Sequence, residues 1–273
     1  MQYDMVAIDL DDTLLNSAGV IPERARLAVR AAVEAGVRVV LCTGRTIKGM
    51  RRFHEALELD TLMITSGGAE VYDPSGHAIF AYPVEQKTVH EVLSLARRHG
   101  VHAQVYIDGE LAYQKRNAYA EKYERSYGFP GIEIPDLYER QDIVTPKVLL
   151  IAEADRILAA QSEAEVQFPQ LAIKRSKPEY LEFVHPDVSK GEAMKFVAAY
   201  YGIDLQRVIA VGDNQIDLSM IEAAGLGVAM ANADAETKAA ADYICASNND
   251  AGVADVIEKM LLEEDFHEDT HQN

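Results

Sequence analysis

The stretch Met5-Val6-Ala7-Ile8-Asp9-Leu10-Asp11-Asp12-Thr13-Leu14 decides the fold. Its first half is short, apolar and rich in β-formers, which predicts a buried strand, and its second half gathers three carboxylates where that strand ends. In open parallel sheets ligands bind outside the carboxyl ends of strands. Asp9 and Asp11 stand at i and i+2, astride the point where the chain turns. Acids this close repel one another and are costly without a cation. The cluster reads either as a solvated acidic turn or as the seat of a hard cation, with magnesium the default for oxygen ligands that leave room for water and phosphate.

Outward from this segment, strand and helix alternate. Pro22 opens a helix with Ala25, Val29, Ala32 and Val33 on one face and Gly36 just past its end. Strands are predicted at Val37–Cys42 and Thr61–Thr65, with a helix over Ile47–Leu57 between them. That alternation is the pattern of a parallel sheet with right-handed crossovers. After Ser66 the rhythm changes to a hairpin across Asp73–Gly76. From about Pro83 to Pro186, paired short strands with intervening helices predict an α+β unit with a largely antiparallel sheet. Alternation resumes after Ser189, with strands at Val208–Val211, Gly227–Met230 and Tyr243–Cys245. The fold class is therefore α/β, a Rossmann-like doubly wound core of residues 1–82 and 187–273, interrupted by an α+β domain of residues 83–186. The two junctions are expected to act as a hinge pair. The acidic end, Glu263–Asn273, is expected to fray.

Composition narrows the partners. In 273 residues, 26 Lys+Arg stand against 44 Asp+Glu, a formal net charge of −18. Such a surface repels nucleic-acid phosphates and anionic membranes. Hydrophobic residues make up 48% and charged residues 26%, which excludes extensive disorder. The first residues carry no basic segment of a secretory leader, and no apolar run reaches the length of a membrane span. The expectation is a soluble cytoplasmic protein, monomeric or weakly dimeric. Cys42 and Cys245 each lie in an apolar run and read as buried thiols rather than a disulfide or a zinc site.

Three further strand ends carry chemistry. Val39–Cys42 runs into Thr43-Gly44-Arg45, a hydroxyl and free N–H groups ahead of a helix. Val208–Val211 runs into Gly212-Asp213-Asn214-Gln215-Ile216-Asp217. Lys190-Gly191 opens the helix that follows the inserted domain. Acid, hydroxyl, lysine and acid at one sheet edge compose a phosphoryl-transfer site.

These four segments, Asp9-Leu10-Asp11-Asp12-Thr13, Thr43-Gly44-Arg45, Lys190-Gly191 and Gly212-Asp213-x-x-x-Asp217, resemble in order the motifs of the haloacid dehalogenase superfamily. The insertion between the second and third resembles the type-IIB cap of the Cof-like hydrolases. The resemblance spans nearly the whole chain. It implies Asp9 as the nucleophile that becomes an aspartyl-phosphate and Asp11 as general acid and then base. It also implies magnesium held by Asp9, the Asp11 backbone carbonyl and Asp213, with Asp217 supporting the metal shell. Leu10, Thr43, Gly44 and Lys190 would bind the phosphoryl oxygens, with Asn214 close by. The implied activity is a magnesium-dependent phosphatase of small phosphate esters, sugar phosphates or riboflavin intermediates, its cap closing over the sheet edge to select the leaving group.

A sugar-phosphate phosphotransferase or mutase of the same superfamily shares these motifs. A receiver-type signalling domain pairs acids in the same way, but it would need an acceptor aspartate after the third strand, where this chain has Thr65-Ser66-Gly67. The chain departs from the superfamily at Ile216, where members often have Asn, and at Ser66-Gly67-Gly68-Ala69. Arg45 and Asp12 read as structural, and Glu182 as either a surface cap or a cavity group. Tyr106, Tyr113, Tyr119, Tyr123 and Tyr127 could stack on a ring but read better as core.

Overall fold

Fully buried, β-branched segments alternate with helices that are apolar on one side only. The computed structural model describes residues 3–262, so Glu263–Asn273 lies outside the described residues, as does the side chain of Tyr127. In chain order the elements are β1 (Met5–Ile8), α1 (Glu23–Glu34), β2 (Arg38–Leu41), α2 (Ile47–Ala56), β3 (Met63–Thr65), β4 (Glu70–Tyr72) and β5 (Ala78–Ala81). There follow α3 (Gln86–His99), β6 (His102–Ile107), β7 (Glu110–Tyr113), α4 (Ala118–Tyr127), β8 (Ile132–Glu133), β9 (Lys147–Ile151), α5 (Ala154–Gln167), β10 (Ala172–Lys177) and β11 (Tyr180–Val184). The chain closes with α6 (Lys190–Tyr201), β12 (Val208–Gly212), α7 (Leu218–Ala223), β13 (Leu226–Ala229), α8 (Ala235–Ala240), β14 (Tyr243–Ile244) and α9 (Gly252–Ile257).

The chain divides into two units. One holds the residues up to Gly44, Arg51–Ile79 and the chain from Ser189 on; the other holds Arg45–Met50 and Phe80–Val188. The first is built on a five-stranded, wholly parallel sheet in the order β14-β13-β12-β1-β2. Its central strands are buried on both faces, as a sheet covered by helices on both sides requires. Register fixes what meets at the carboxyl edge. Ile8 lies opposite both Val211 and Leu41, so the next residues of β1, β12 and β2 emerge side by side. Asp9 is thereby brought beside Gly212-Asp213 and Cys42-Thr43, although some 200 residues separate β1 from β12 in the chain.

The third strand departs from the simple alternation. β3 touches the parallel sheet only through an isolated bridge from Ile64 to Cys42, and otherwise pairs antiparallel with β4 in a three-stranded sheet, β3-β4-β5. The cause is local. Ser66, Gly67 and Gly68 all have positive φ (53°, 71° and 97°), so the chain reverses at once instead of entering a crossover helix.

The second unit carries a six-stranded sheet in the order β10-β11-β9-β6-β7-β8, antiparallel except between β7 and β8. One face of this sheet buries Val105, Val148, Leu150 and Phe183 with Val92, Ala96, Ile157 and Ala160 of α3 and α5. Each large apolar side chain buried there contributes roughly 1.5–3 kcal/mol. Tyr106, Tyr113 and Tyr123 are buried with Tyr180 in a second cluster. Their hydroxyls are satisfied internally, Tyr106 with Tyr123 at 2.7 Å and Tyr113 donating to Glu124 at 2.6 Å. Three of the tyrosines singled out as ring-stacking candidates are therefore core. Glu182 is engaged within its own sheet, accepting from Lys147 Nζ at 3.1 Å and Ser176 Oγ at 2.6 Å. Burial alone would push its carboxyl up, but Lys147 and Ser176 together hold it below the usual range.

Candidate active site

The segment after β1 forms a wide turn. Leu14 N–H donates to Asp9 C=O at 3.2 Å and Leu15 N–H to Leu10 C=O at 2.8 Å, each spanning five residues. Inside it Asp11 is extended (φ −73°, ψ 127°) and Asp12 is left-handed (φ 59°, ψ 10°). The turn buries Leu10, Thr13 and Leu14 and leaves Asp11 and Asp12 exposed. Asp9 sits at its mouth, 3% exposed, with its N–H on Val211 C=O.

Lys190 opens α6 behind the cap supplied by Ser189, whose hydroxyl accepts from Glu192 N–H at 3.1 Å. Its ammonium is wholly buried and donates at 2.5 Å to both Asp9 Oδ1 and Asp217 Oδ1. Asp217 is equally buried, and its other oxygen accepts the backbone N–H groups of Asp213 (3.0 Å) and Asn214 (3.2 Å). Asp213 Oδ1 in turn accepts from Thr13 Oγ1 at 3.1 Å and Asn214 Nδ2 at 3.0 Å. Asp9, Asp213 and Asp217 each present an oxygen within 4.8 Å of the others.

A glycine makes this convergence feasible. A Cβ on Gly212 would stand 2.4 Å from Asp217 Cβ, so only a residue without a side chain lets the turn after β12 fold Asp217 back beneath the strand. Gly212→Ala is expected to destabilise the protein by roughly 1–3 kcal/mol and to displace Asp217 from Lys190. Chemical denaturation alongside an activity assay checks it; a variant with unchanged midpoint and turnover would refute the packing argument.

The cluster holds three carboxylates, Lys190 pairs with Asp9 and Asp217, and the imbalance shows in the titration of Asp9 and Asp213. Burial pushes the Asp9 carboxyl well above its ordinary value, against the pull of Lys190. Burial and the charge of Asp217 push Asp213 up to about 6, against its hydrogen bonds from Thr13 and Asn214. Burial works against a charged Lys190, but Asp217 and Asp9 outweigh it and hold the ammonium above the ordinary lysine range. Asp9 Oδ2 is buried and has no hydrogen-bond partner. A buried carboxylate oxygen left unpaired inside a net-negative cluster fits a hard divalent cation.

The other sequence-derived candidates fall as follows. Thr43 is fully buried at the same sheet edge, its N–H on Ile64 C=O and its C=O accepting from Gly67 N–H. Gly44 and Arg45, next along, are half-buried. Leu10 is buried in the turn. The carboxylate of Asp11 is not one of the three clustered side chains; the resemblance gives it a metal contact only through its carbonyl. Both polar ends of Asn214 are engaged, one on Asp213 and the other accepting Ile216 N–H at 3.1 Å, so here it caps the turn that follows β12. Burial pushes the Cys42 thiol far up, as an inert core residue requires. Sequence reasoning overlooked Thr13 as the hydroxyl that steadies Asp213. It lies within a quoted motif, but its partner is 200 positions away.

Comparison with known proteins shows the family. The profile of the haloacid dehalogenase-like hydrolases matches residues 6–257. The chain belongs to that family. A Haemophilus influenzae protein is 32% identical over 270 residues, covering 98% of this chain and 100% of its own. The Bacillus subtilis 5-amino-6-(5-phospho-D-ribitylamino)uracil phosphatase YcsE is 32% identical over 258 residues, 94% of this chain and 96% of its own. Among solved structures, a haloacid dehalogenase-like hydrolase from Bacteroides thetaiotaomicron superposes with a TM-score of 0.89 at 29% identity, covering 94% of this chain and 99% of that one. The haloacid dehalogenase-like chain is thus an enzyme, a phosphoric monoester hydrolase with an α/β core. Among the described residues no helix is long and apolar enough to cross a membrane.

Proposed function

We propose that this hydrolase releases phosphate from small phosphorylated metabolites with the help of Mg²⁺, through a covalent phosphate on Asp9. The observation that carries the reading is the state of Asp9 itself: buried, one oxygen held by Lys190, the other unpaired beside Asp213 and Asp217. Asp9, Asp213 and the Asp11 carbonyl would hold the cation, with Asp217 behind them; bound there, it neutralises charge so that a carboxylate and a phosphate can meet. An Asp9 oxygen attacks phosphorus as the ester P–O bond breaks, and the leaving oxygen takes the proton of the Asp11 carboxyl. Water then attacks phosphorus, gives its proton to the Asp11 carboxylate and frees Asp9. Thr43 and Lys190 bind phosphoryl oxygens, and the N–H groups at Leu10 and Asp11 complete the cradle.

YcsE and a second Bacillus subtilis relative, YwtE, are both named for a phosphorylated ribitylamino-uracil. Sugar- and sugar-alcohol phosphates are therefore the first substrates to test. A Mg²⁺-dependent phosphate-release screen over such a panel is expected to find turnover that a chelator abolishes. Activity undiminished by chelation would sink the metal reading.

The raised Asp213 carboxyl adds a pH test. Its folded value, about 6, exceeds the unfolded value near 4, so the metal-free protein binds this proton more tightly than the unfolded chain does. Metal-free stability is expected to fall as pH rises from about 4 to about 6. A cation must displace that proton, so the rise in Tm produced by Mg²⁺ should be full above about pH 7 and shrink below 6. A Mg²⁺ shift independent of pH across that window would contradict the assignment.

A further inference from the structure

The turn that folds Asp217 back beneath β12 also directs one large apolar side chain outward. Its other members are engaged in polar contacts. Asn214 caps it, accepting Ile216 N–H at 3.1 Å, and Gln215 Nε2 donates to Glu236 Oε2 at 2.7 Å. Asp217 is buried on Lys190. Ile216, between them in the chain and three residues from Asp213, is 46% exposed. The cap pins its backbone, so the side chain has a set direction. Its Cδ1 comes to 3.8 Å from where a Cβ on Gly44 would stand, which is ordinary van der Waals contact. The two residues follow different strands. Ile216 belongs to the loop after β12 and Gly44 to the loop after β2, with β1 between those strands. Adjacent strands lie about 4.8 Å apart, so loops from strands about 10 Å apart meet through this side chain, beside the end of β1 where Asp9 emerges. The cluster therefore has a buried floor of Asp9, Asp217 and Lys190 and a hydrocarbon lip on its solvent side.

We propose that Ile216 is a specificity-determining residue: it meets the leaving group beside the ester oxygen and selects phosphate esters in which the carbon next to the ester carbon carries hydrogen rather than a hydroxyl. This rests on the reading of Asp9 as nucleophile, with Thr43 and Lys190 on the phosphoryl oxygens. Attack in line sends the leaving group away from Asp9, out of the buried floor and past the lip. A C–H edge laid on Ile216 removes apolar surface of both partners from water. A hydroxyl laid there gives up its water and finds only methyl groups on Ile216.

The test uses the full chain with Mg²⁺ and two competitors of 4-nitrophenyl phosphate hydrolysis, propyl phosphate and 2-hydroxypropyl phosphate. The pair share charge and carbon skeleton and differ by one hydroxyl, on the carbon next to the ester carbon. The wild type should bind propyl phosphate about tenfold more tightly, the lower end of what one group is worth in an apolar contact. In Ile216→Asn, similar in size but polar, that preference should vanish; in Ile216→Leu it should persist. Ile216→Ala removes the lip without adding a polar group, should weaken the preference, and serves as the readout if Ile216→Asn does not fold. Inhibition by inorganic phosphate, which has no leaving group, should not follow the preference. A parallel loss there would mean that the substitution disturbs Asp213 or Asp217, and it would overturn the proposal. No preference in the wild type, competition by neither ester, or an unchanged preference in Ile216→Asn also overturns it. Asp9→Asn separates the two levels. If it is inactive, such results strike Ile216 alone; if it keeps turnover, the reaction itself is wrong and the proposal falls with it.

Discussion

Replacing Asp9 with asparagine is expected to lower turnover by at least about a thousandfold on every phosphate ester, with the protein still folded. The amide has nearly the carboxylate's shape but is no nucleophile, so the covalent route closes. Folding should survive for an electrostatic reason. Asp9, Asp213 and Asp217 cluster as three carboxylates, and the ammonium of Lys190 pairs with two of them, Asp9 and Asp217. Burial already pushes Asp9 well above its ordinary pKa, so its charge is a burden on the metal-free fold. Removing that charge relieves repulsion on Asp213, and the metal-free variant should melt no lower than the wild type above about pH 6. It should also lose most of the stabilisation by Mg²⁺. Thermal melts with and without Mg²⁺, paired with a phosphate-release assay, read all three quantities. Full activity in the variant would end the mechanism; low activity with a collapsed melt would mean that Asp9 is structural first.

Much of this was legible in the chain because each contributing motif is short and sits at a strand end. A buried strand announces itself by composition, and the residue after it lands on the sheet edge whatever lies between the strands. Asp9, Thr43 and Asp213 could therefore be placed together without knowing how β1, β2 and β12 are ordered. Contacts made by side chains reaching from another loop were not legible. Neither Asn232 nor Asn248 has a local pattern, since each is a polar residue in a loop until its partner carbonyl is seen. The role of Asn214 as a cap was equally hidden, because an asparagine beside a clustered carboxylate reads as a ligand from its chemistry alone. The early reversal at Ser66–Gly68 was hidden for a different reason. Two adjacent glycines permit left-handed backbone but do not demand it, and Ser66 adopts it with its hydroxyl on Glu70 Oε2 at 2.9 Å.

Substituting methionine for Lys190 should be the more damaging change to the fold. The ammonium is completely buried, and so are both of its carboxylate partners or nearly so. Methionine fills a similar volume but leaves Asp9 and Asp217 facing each other unpaired. Breaking a buried ion pair from one side costs about 3–5 kcal/mol, a large share of the 5–15 kcal/mol by which a domain is stable. The sign of the pH dependence separates this from lost packing. In the wild type, the Lys190 value is raised on folding, so its contribution is complete below the unfolded lysine value and is lost only at more alkaline pH than proteins ordinarily meet. In the variant, Asp9 must ionise without its cation, so stability should fall as pH rises through the carboxylate range and recover in acid. Denaturation midpoints for wild type and Lys190→Met between about pH 5 and 8 should therefore diverge towards the alkaline side. A constant gap would mean that the lysine matters through its packing. Because the proposed reaction has the same ammonium meet the incoming phosphoryl oxygens, turnover should be lost even where the variant remains folded, and adding Mg²⁺ should restore part of the stability without restoring the rate.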